Sequence, residues 1–486
     1  MSQKPSARLI HGNLNSDKMV NSHKTVLWED IAVDTFFVSS FGRFVMGLFQ
    51  DLFTVPSWQS FTLLAKGWTL ASGQHTITAY LWLTGATRVK HFSSFYVFLG
   101  TALYKARWKL WARLLHCALE WLPSDQPLVL ACDDSTKKKV GRKIEGAARY
   151  RNSAGTARQE YRSLWGLNFV WVILRLPLSE WPGCHLSVPV GLSLYLKEPQ
   201  AKRLNLAHRS RSALAREIID SIAAQLPGRV IRVLADGGYA NKAFLRDLPQ
   251  NVQVVSRFLV TAKLYESPKP PKPSKRGRRP SKGPLIGSPQ TLAQKRRGWQ
   301  DHPSEAATQM QAWQGLWHSV LPGRQIRLVV VRRQSTKGLN KTGSRKPLPA
   351  LEAFFSTDLS LAPADILAAY RERWAVEIAL RDSYGFDGLG QDQCRKVERL
   401  VGANTLRLVM AAARTLWFVE QAKQHSGIEL RRYRPWYRQK VAPSQLDIIW
   451  ACREALQEEG IVPIPRFRPA LATNQQGSEN ALPRAA

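Results

Sequence analysis

Three acidic positions stand out for what carboxylates can do together. Asp133 and Asp134 follow an apolar run, QPLVLACDDST, that reads as a short strand ending abruptly in acids. Asp236 ends a second such run, GRVIRVLADGG, and Glu377 lies inside the helical stretch that follows Pro363. An acid at the carboxyl end of a buried strand sits at the sheet edge where α/β proteins place their sites. Carboxylates converging there offer the oxygen ligands that a hard cation such as Mg²⁺ prefers. Two such ions roughly 3.5–4 Å apart activate a water or a 3′-hydroxyl on one side of a phosphodiester and stabilise the leaving oxygen on the other. The expected cofactor is therefore a pair of Mg²⁺ ions, with Mn²⁺ able to substitute.

The stretch carrying Glu377 has a second pattern. At 100° per residue Tyr370, Arg373, Glu377, Arg381 and Tyr384 fall on one narrow helical face. Leu367, Trp374 and Ile378 flank it on one side, and Ala369, Val376 and Leu380 on the other. A polar stripe between apolar flanks describes a helix packed beside a site. An Arg/Glu salt-bridge ladder on a surface helix fits the same spacing.

These residues need elements to position them, and the composition bounds what those are. A chain of 486 residues predicts two to four domains, and 44% hydrophobic residues are enough to build cores. Lys and Arg total 70 against 36 Asp and Glu, a net charge of +34. Such an excess points to polyanionic partners, nucleic acid first. A membrane is not expected: the most apolar runs are broken by Asn168 and Arg175 or by Pro182 and Pro189. The first residues, MSQKPSARLIHGN, lack the apolar core of a secretion signal. Cys117, Cys132, Cys184, Cys394 and Cys452 form no CxxC pair, which argues against a disulfide framework or a zinc site. The expected setting is cytoplasmic and nucleoid-associated.

Along the chain, residues 36–123 show helical spacing, with Arg88, Lys90, Lys105, Arg107, Lys109 and Arg113 interleaved among aromatics. This region reads as a helical DNA-binding domain or as an ordinary bundle with a basic face. Strands follow in QPLVLACDDST, SLWGLNFVWVILRLPL, HLSVPVGLSLYL, GRVIRVLADGG and VQVVSRFLV, with SRSALAREIIDSIAAQL a helix between them. Strands interleaved with helices predict an α/β sheet. Residues 267–300 hold ten Lys/Arg and no acid, and their prolines predict an extended basic loop. QIRLVVVRR and LEAFFSTD read as strands. LAPADILAAYRERWAVEIALRDSY and VERLVGANTLRLVMAAARTLWFVEQA read as helices.

The DDST block, the ADGGYAN block and the helix YRERWAVEIALRDSY resemble the three catalytic blocks of DDE-type insertion-sequence transposases. More narrowly they are similar to the cut-and-paste group with a Tyr-x2-Arg-x3-Glu-x6-Lys signature. The resemblance spans roughly residues 125–400. It implies a ribonuclease-H-like core with the triad Asp134, Asp236 and Glu377 as catalytic and metal-holding residues. Asp134 is preferred because in that group the acid directly precedes the Ser/Thr pair, here Ser135-Thr136; the residues alone leave Asp133 open. Tyr370 and Arg373 match the signature positions that hold DNA phosphates. The signature lysine falls on Tyr384, and Arg381, one turn after Glu377, is expected to supply the charge instead. The group also carries a β-rich insertion before its glutamate, in which a tryptophan receives a flipped base. Trp299 is the first candidate, beside Trp313 and Trp317.

The run KRGRRPSKG, with Lys275, Arg276, Arg278 and Arg279, is expected to touch DNA backbone as a solvated basic loop, and less so to lie in an AT-rich minor groove. The expected division is a flexible segment 1–35, a helical DNA-binding domain 36–123, and an α/β ribonuclease-H-like core over 124–259 and 359–400. A β-rich insertion would occupy 260–358, a helical C-terminal region 401–459 and a disordered tail 460–486. The expected activity is binding of an element's terminal inverted repeats, strand cleavage and strand transfer, by a homodimer on double-stranded DNA. A nuclease or resolvase on the same fold, and a transposase-derived regulator without catalysis, are the rival readings.

Overall fold

The computed structural model describes residues 35–151, 163–268, 280–333, 351–424, 436–437 and 439–461. The basic run with Lys275, Arg276, Arg278 and Arg279 lies outside the described residues, as do residues 1–34 and the tail from 462.

Among the described residues a single helical turn, Thr35–Val38, is followed by five longer helices: α1 (Ser40–Phe49), α2 (Val55–Leu70), α3 (Ile77–Leu83), α4 (Phe92–Phe98) and α5 (Tyr104–Leu119). Their starts follow ordinary capping chemistry: the Ser39 hydroxyl accepts from the Gly42 N–H and the Thr76 hydroxyl from the Ala79 N–H. A π-helical turn, Leu99–Leu103, joins α4 to α5.

Among the described residues there are twelve strands: β1 (Leu128–Lys138), β2 (Ala148–Arg151), β3 (Ser163–Pro177), β4 (His185–Tyr195), β5 (Ile231–Ala235) and β6 (Val252–Arg257), then β7 (Leu264–Tyr265), β8 (Leu285–Gly287), β9 (Gln300–Asp301), β10 (Thr308–Leu316), β11 (Gln325–Arg333) and β12 (Leu351–Ser356). They form one sheet in the order β2-β3-β1-β5-β6-β12-β11-β10-β7-β8, with β4 on β3 and β9 on β10. Within it β4, β3 and β1 run antiparallel, while β5 and β6 lie parallel to β1. Strands from 264–333 continue this sheet past β12 rather than forming a separate one. The first strand also runs further than the sequence predicts. Its apolar run stops at Cys132, but the backbone continues through both acids to Lys138, because β3 offers Gly166 to Trp171 as partners.

Helix α6 (Arg211–Gln225) covers one face of the sheet. The opposite face takes α7 (Pro363–Glu372), α8 (Trp374–Gly385) and α9 (Val397–Gln424). With both faces covered, β3 is buried continuously from Gly166 to Leu174. The single helix expected after Pro363 is two, because the chain tightens at Arg373. There the Arg373 N–H bonds the Tyr370 carbonyl and the Val376 N–H bonds the Arg373 carbonyl, both three residues back.

Helix α9 is the centre of the molecule, buried from Leu400 to Val419. It touches β4, α1, α2, α5 and α10 (Gln445–Glu458). It crosses the turn at Leu99 so closely that a Cβ on Gly402 would lie 2.0 Å from the Leu99 carbonyl oxygen. Buried charges seal these contacts. Arg407 donates to the carbonyls of His75 (2.6 Å) and Ala403 (2.9 Å), and Arg414 pairs with Asp387 at 2.6 Å. The N-terminal helices and the sheet therefore share one hydrophobic core, from Phe36 to Leu456.

Candidate active site

The in-register pair Cys132–Ala235 is the last of the β1–β5 ladder, so Asp133 and Asp236 emerge side by side from two parallel strands. The alternation of β1 then separates its two acids. Asp133 shares a face with Ser135 and Lys137 and looks towards the junction of α7 and α8, where its carboxylate lies 3.4 Å from Arg373. Asp134 looks the other way. It accepts from the Asn168 amide at 2.8 Å and the Tyr239 hydroxyl at 3.4 Å, and pairs with Arg211 of α6 at 3.3 Å.

Arg373 is the hub of the Asp133 face. One amino group reaches Asp133 and the other Glu377, at 2.8 Å. Burial opposes its charge, but the hydrogen bond to Glu377 and the nearby carboxylates hold it above the usual guanidinium value. Burial pushes the Asp133 carboxyl up to about 7, against the pull of the Asp134 N–H and Arg373. One turn earlier, Tyr370 donates to the Asp236 carboxylate at 3.2 Å, its ring packed 4.8 Å from Phe354. Burial, then the Asp236 charge, raises the Tyr370 hydroxyl to about 12, so it stays a donor.

The site thus gathers Asp133, Asp236, Glu377, Tyr370 and Arg373. Asp134, the acid expected in the triad, lies on the other side of β1, because successive strand residues cannot share a face. Arg381 and Tyr384 do not approach one point either. Arg381 is 74% exposed and bonds its own neighbour Asp382 at 3.0 Å, beside a cavity of about 240 Å³ next to β4. Tyr384 turns inward, and burial raises its hydroxyl to about 12.

The tryptophans expected to meet a base are also placed. Trp299 donates to the Lys295 carbonyl at 2.7 Å and stacks 4.1 Å from the Arg332 guanidinium. Trp313 lines a cavity of about 500 Å³ with Gly298, Gln300 and Arg327. Trp317 is buried between Phe258 and Phe355, at the wall of a cavity of about 760 Å³ that begins at Gly237, next to Asp236. Ion pairs tie these strands to the site: Glu305 joins Arg371, and Glu352 joins Arg257 and Arg333. Nothing in the sequence signals this network, because its partners lie 19 to 95 residues apart.

The donor set suits a hard divalent cation, because it is carboxylate oxygen throughout. The carboxylates are not drawn together: among the described residues no three His, Cys, Asp or Glu side chains form a metal-holding group, and Arg373 spans the gap between Asp133 and Glu377. Among the described residues no helix is long and apolar enough to cross a membrane.

The sequence family of DDE superfamily endonucleases matches residues 59–319, more than half of the chain. The matched span contains Asp133, Asp134 and Asp236 and stops before Glu377. A comparison with curated proteins finds no match. The superfamily implies a ribonuclease-H-like α/β core, a DNA substrate and a divalent metal, and the mixed β4-β3-β1-β5-β6 sheet with helices on both faces agrees with that core. On these grounds the chain belongs to the DDE superfamily of endonucleases, the enzymes of DDE-type transposition.

Proposed function

We propose that this protein is a DNA transposase of the Tyr-Arg-Glu-Lys type, one that binds the terminal inverted repeats of its element, cleaves a strand and joins the freed 3′-hydroxyl to target DNA. The observation that carries the reading is the double bridge of Arg373 between Asp133 and Glu377, beside Tyr370 on Asp236. The triad we propose is Asp133, Asp236 and Glu377, with Asp134 as the neighbour to be tested against Asp133. Two Mg²⁺ ions, replaceable by Mn²⁺, are the proposed cofactor, and when bound they supply Lewis-acid activation of the attacking and leaving oxygens.

The chain's own residues have distinct tasks. Asp133, Asp236 and Glu377 offer the anionic oxygens. Arg373 pairs with two of them, Asp133 and Glu377, and can turn to a phosphate through its planar fork. Tyr370 donates a neutral hydrogen bond while orienting Asp236. The remaining positive charge of the chain draws DNA towards this acidic patch, which alone would repel it. In this proposal residues 36–123 and 401–459 flank the core, residues 260–358 form the insertion, and a homodimer assembles on the DNA.

The test is Mg²⁺-dependent cleavage and strand transfer on duplexes carrying the DNA that borders the gene. Transfer of the cleaved end, lost in Glu377→Ala, is the expected result. Cleavage without transfer would assign the protein to the nucleases of the same fold instead.

A further inference from the structure

Three consecutive lysines, Lys137 and Lys138 at the end of β1 and Lys139 just past it, follow the acids, and the structure treats each differently. Lys138 is exposed. Lys139 is structural: it donates to the carbonyls of Gly390 at 2.9 Å and Asp392 at 2.6 Å, and faces the buried Asp392 carboxylate at 3.6 Å. Lys137 has neither fate. It lies on the Asp133 face of β1, half-buried, with its ammonium 4.7 Å from the centre of the Tyr384 ring. Among the described residues no carboxylate pairs with it.

The fold makes room for this arrangement. Gly390 adopts φ +70°, and a Cβ there would stand 2.7 Å from Lys137 Cγ. Burial, then the neighbouring Lys139 charge, lowers the Lys137 ammonium's pKa. A ring face holds a cation in place but does not neutralise it. The result is an ordered positive charge, unpaired among the described residues, four strand residues beyond Asp133, about 13 Å along β1. Among the described residues it has no counterion, and the substrate class of the proposed site is a polyanion.

We propose that Lys137, held by the Tyr384 ring, is a DNA-backbone ligand that grips a phosphate a few nucleotides from the one presented to Asp133, Asp236 and Glu377. This rests on the reading of the site as a DNA-cleaving one. Tyr384 acts as a positioning residue: it aims the lysine and does not itself touch the phosphate.

The experiment is binding of a labelled mixed-sequence duplex by the full-length protein in EDTA, across a salt series, so that catalysis plays no part. One lost phosphate contact lowers the slope of log affinity against log salt by about 0.9. Lys137→Met is expected to lose that increment and about three- to tenfold in affinity at physiological salt, with the melting temperature unchanged. Lys137→Arg should keep the slope, and Lys137→Met combined with Tyr384→Lys should regain it, the cation now rising from the helix side. Should Lys137→Met melt lower, Lys137→Gln is measured in its place. An unchanged slope in a folded Lys137→Met or Lys137→Gln protein overturns the proposal while leaving the active-site reading intact. Failure of the unaltered protein to bind duplex at all overturns the reading of the site as a DNA enzyme.

Discussion

Asp133 and Asp134 are adjacent in the chain, and β1 turns their carboxylates to opposite faces of the sheet, one to Arg373 and the other to Arg211. Only the first shares its side with Glu377. Asp133→Ala should therefore abolish metal-dependent cleavage. Asp134→Ala should leave cleavage measurable but destabilise the protein, because Arg211 and Asn168 lose their partner, on the order of 1–3 kcal/mol. Cleavage rates and denaturant midpoints for the two variants check this, and the reverse ranking would move the triad to Asp134.

The buried Asp133 carboxyl also predicts a pH effect on stability without metal. Its folded value of about 7 stands above the unfolded 3.8, so the folded state binds this proton more tightly. Stability is then lost as pH rises from the unfolded value to the folded one, and the penalty is complete above about 7. Asp133→Asn removes it. In EDTA, the variant should gain on the unaltered protein between acid and mildly alkaline pH by on the order of 1–3 kcal/mol. A constant gap in melting temperature across that range would show that Asp133 ionises freely.

Arg373 and Arg381 should separate cleanly. Arg373→Ala leaves Asp133 and Glu377 facing each other with no cation, so the metal-free variant should melt lower. Mg²⁺ should then raise its melting temperature more than it raises that of the unaltered protein, while cleavage falls. Arg381 is exposed and, among the described residues, pairs with Asp382 alone, so Arg381→Ala should stay within about 0.5 kcal/mol and cleave normally. Equal Mg²⁺ shifts for Arg373→Ala and the unaltered protein would remove Arg373 from the metal gap.

An acid-sensitive point lies far from the acids, at His75. Burial, then the charges of Arg407 and Arg414, lowers its pKa to about 4. The unfolded chain binds the proton more readily, so the stability present above about 6.5 is lost as pH falls towards 4. His75→Gln keeps a polar partner for the Tyr80 hydroxyl, now 3.2 Å from the ring nitrogen, and should flatten the decline. Chemical denaturation of both proteins between pH 7 and pH 4.5 measures the difference, roughly 1–3 kcal/mol; parallel curves would absolve His75.

Much of this is legible in the sequence, for physical reasons. The runs before Asp133 and Asp236 are apolar without alternation, as strands covered on both faces must be, and Pro363 marks a helix start. The face taken by each acid was not legible, because a period of two fixes alternation but not which side is which. Projecting one regular helix from Pro363 to Tyr384 also failed at Arg373, where a tightened turn resets the angle and parts Arg381 from Tyr384. Lys137 gave no signal at all: its role comes from a ring nearly 250 positions away and a glycine further on.

Helix α9 sets a mechanical limit on the whole molecule. Arg407 and Arg414 fasten it, through His75 and Asp387, to the loops that join the N-terminal helices and follow α8. Prising the two regions apart would strand two guanidinium groups and a carboxylate in an apolar interior, which leaves no inexpensive hinge between them. If the N-terminal helices grip DNA as proposed, the distance from that grip to Asp133 and Asp236 is set as if by a rigid ruler, a property of the fold rather than of the bound sequence.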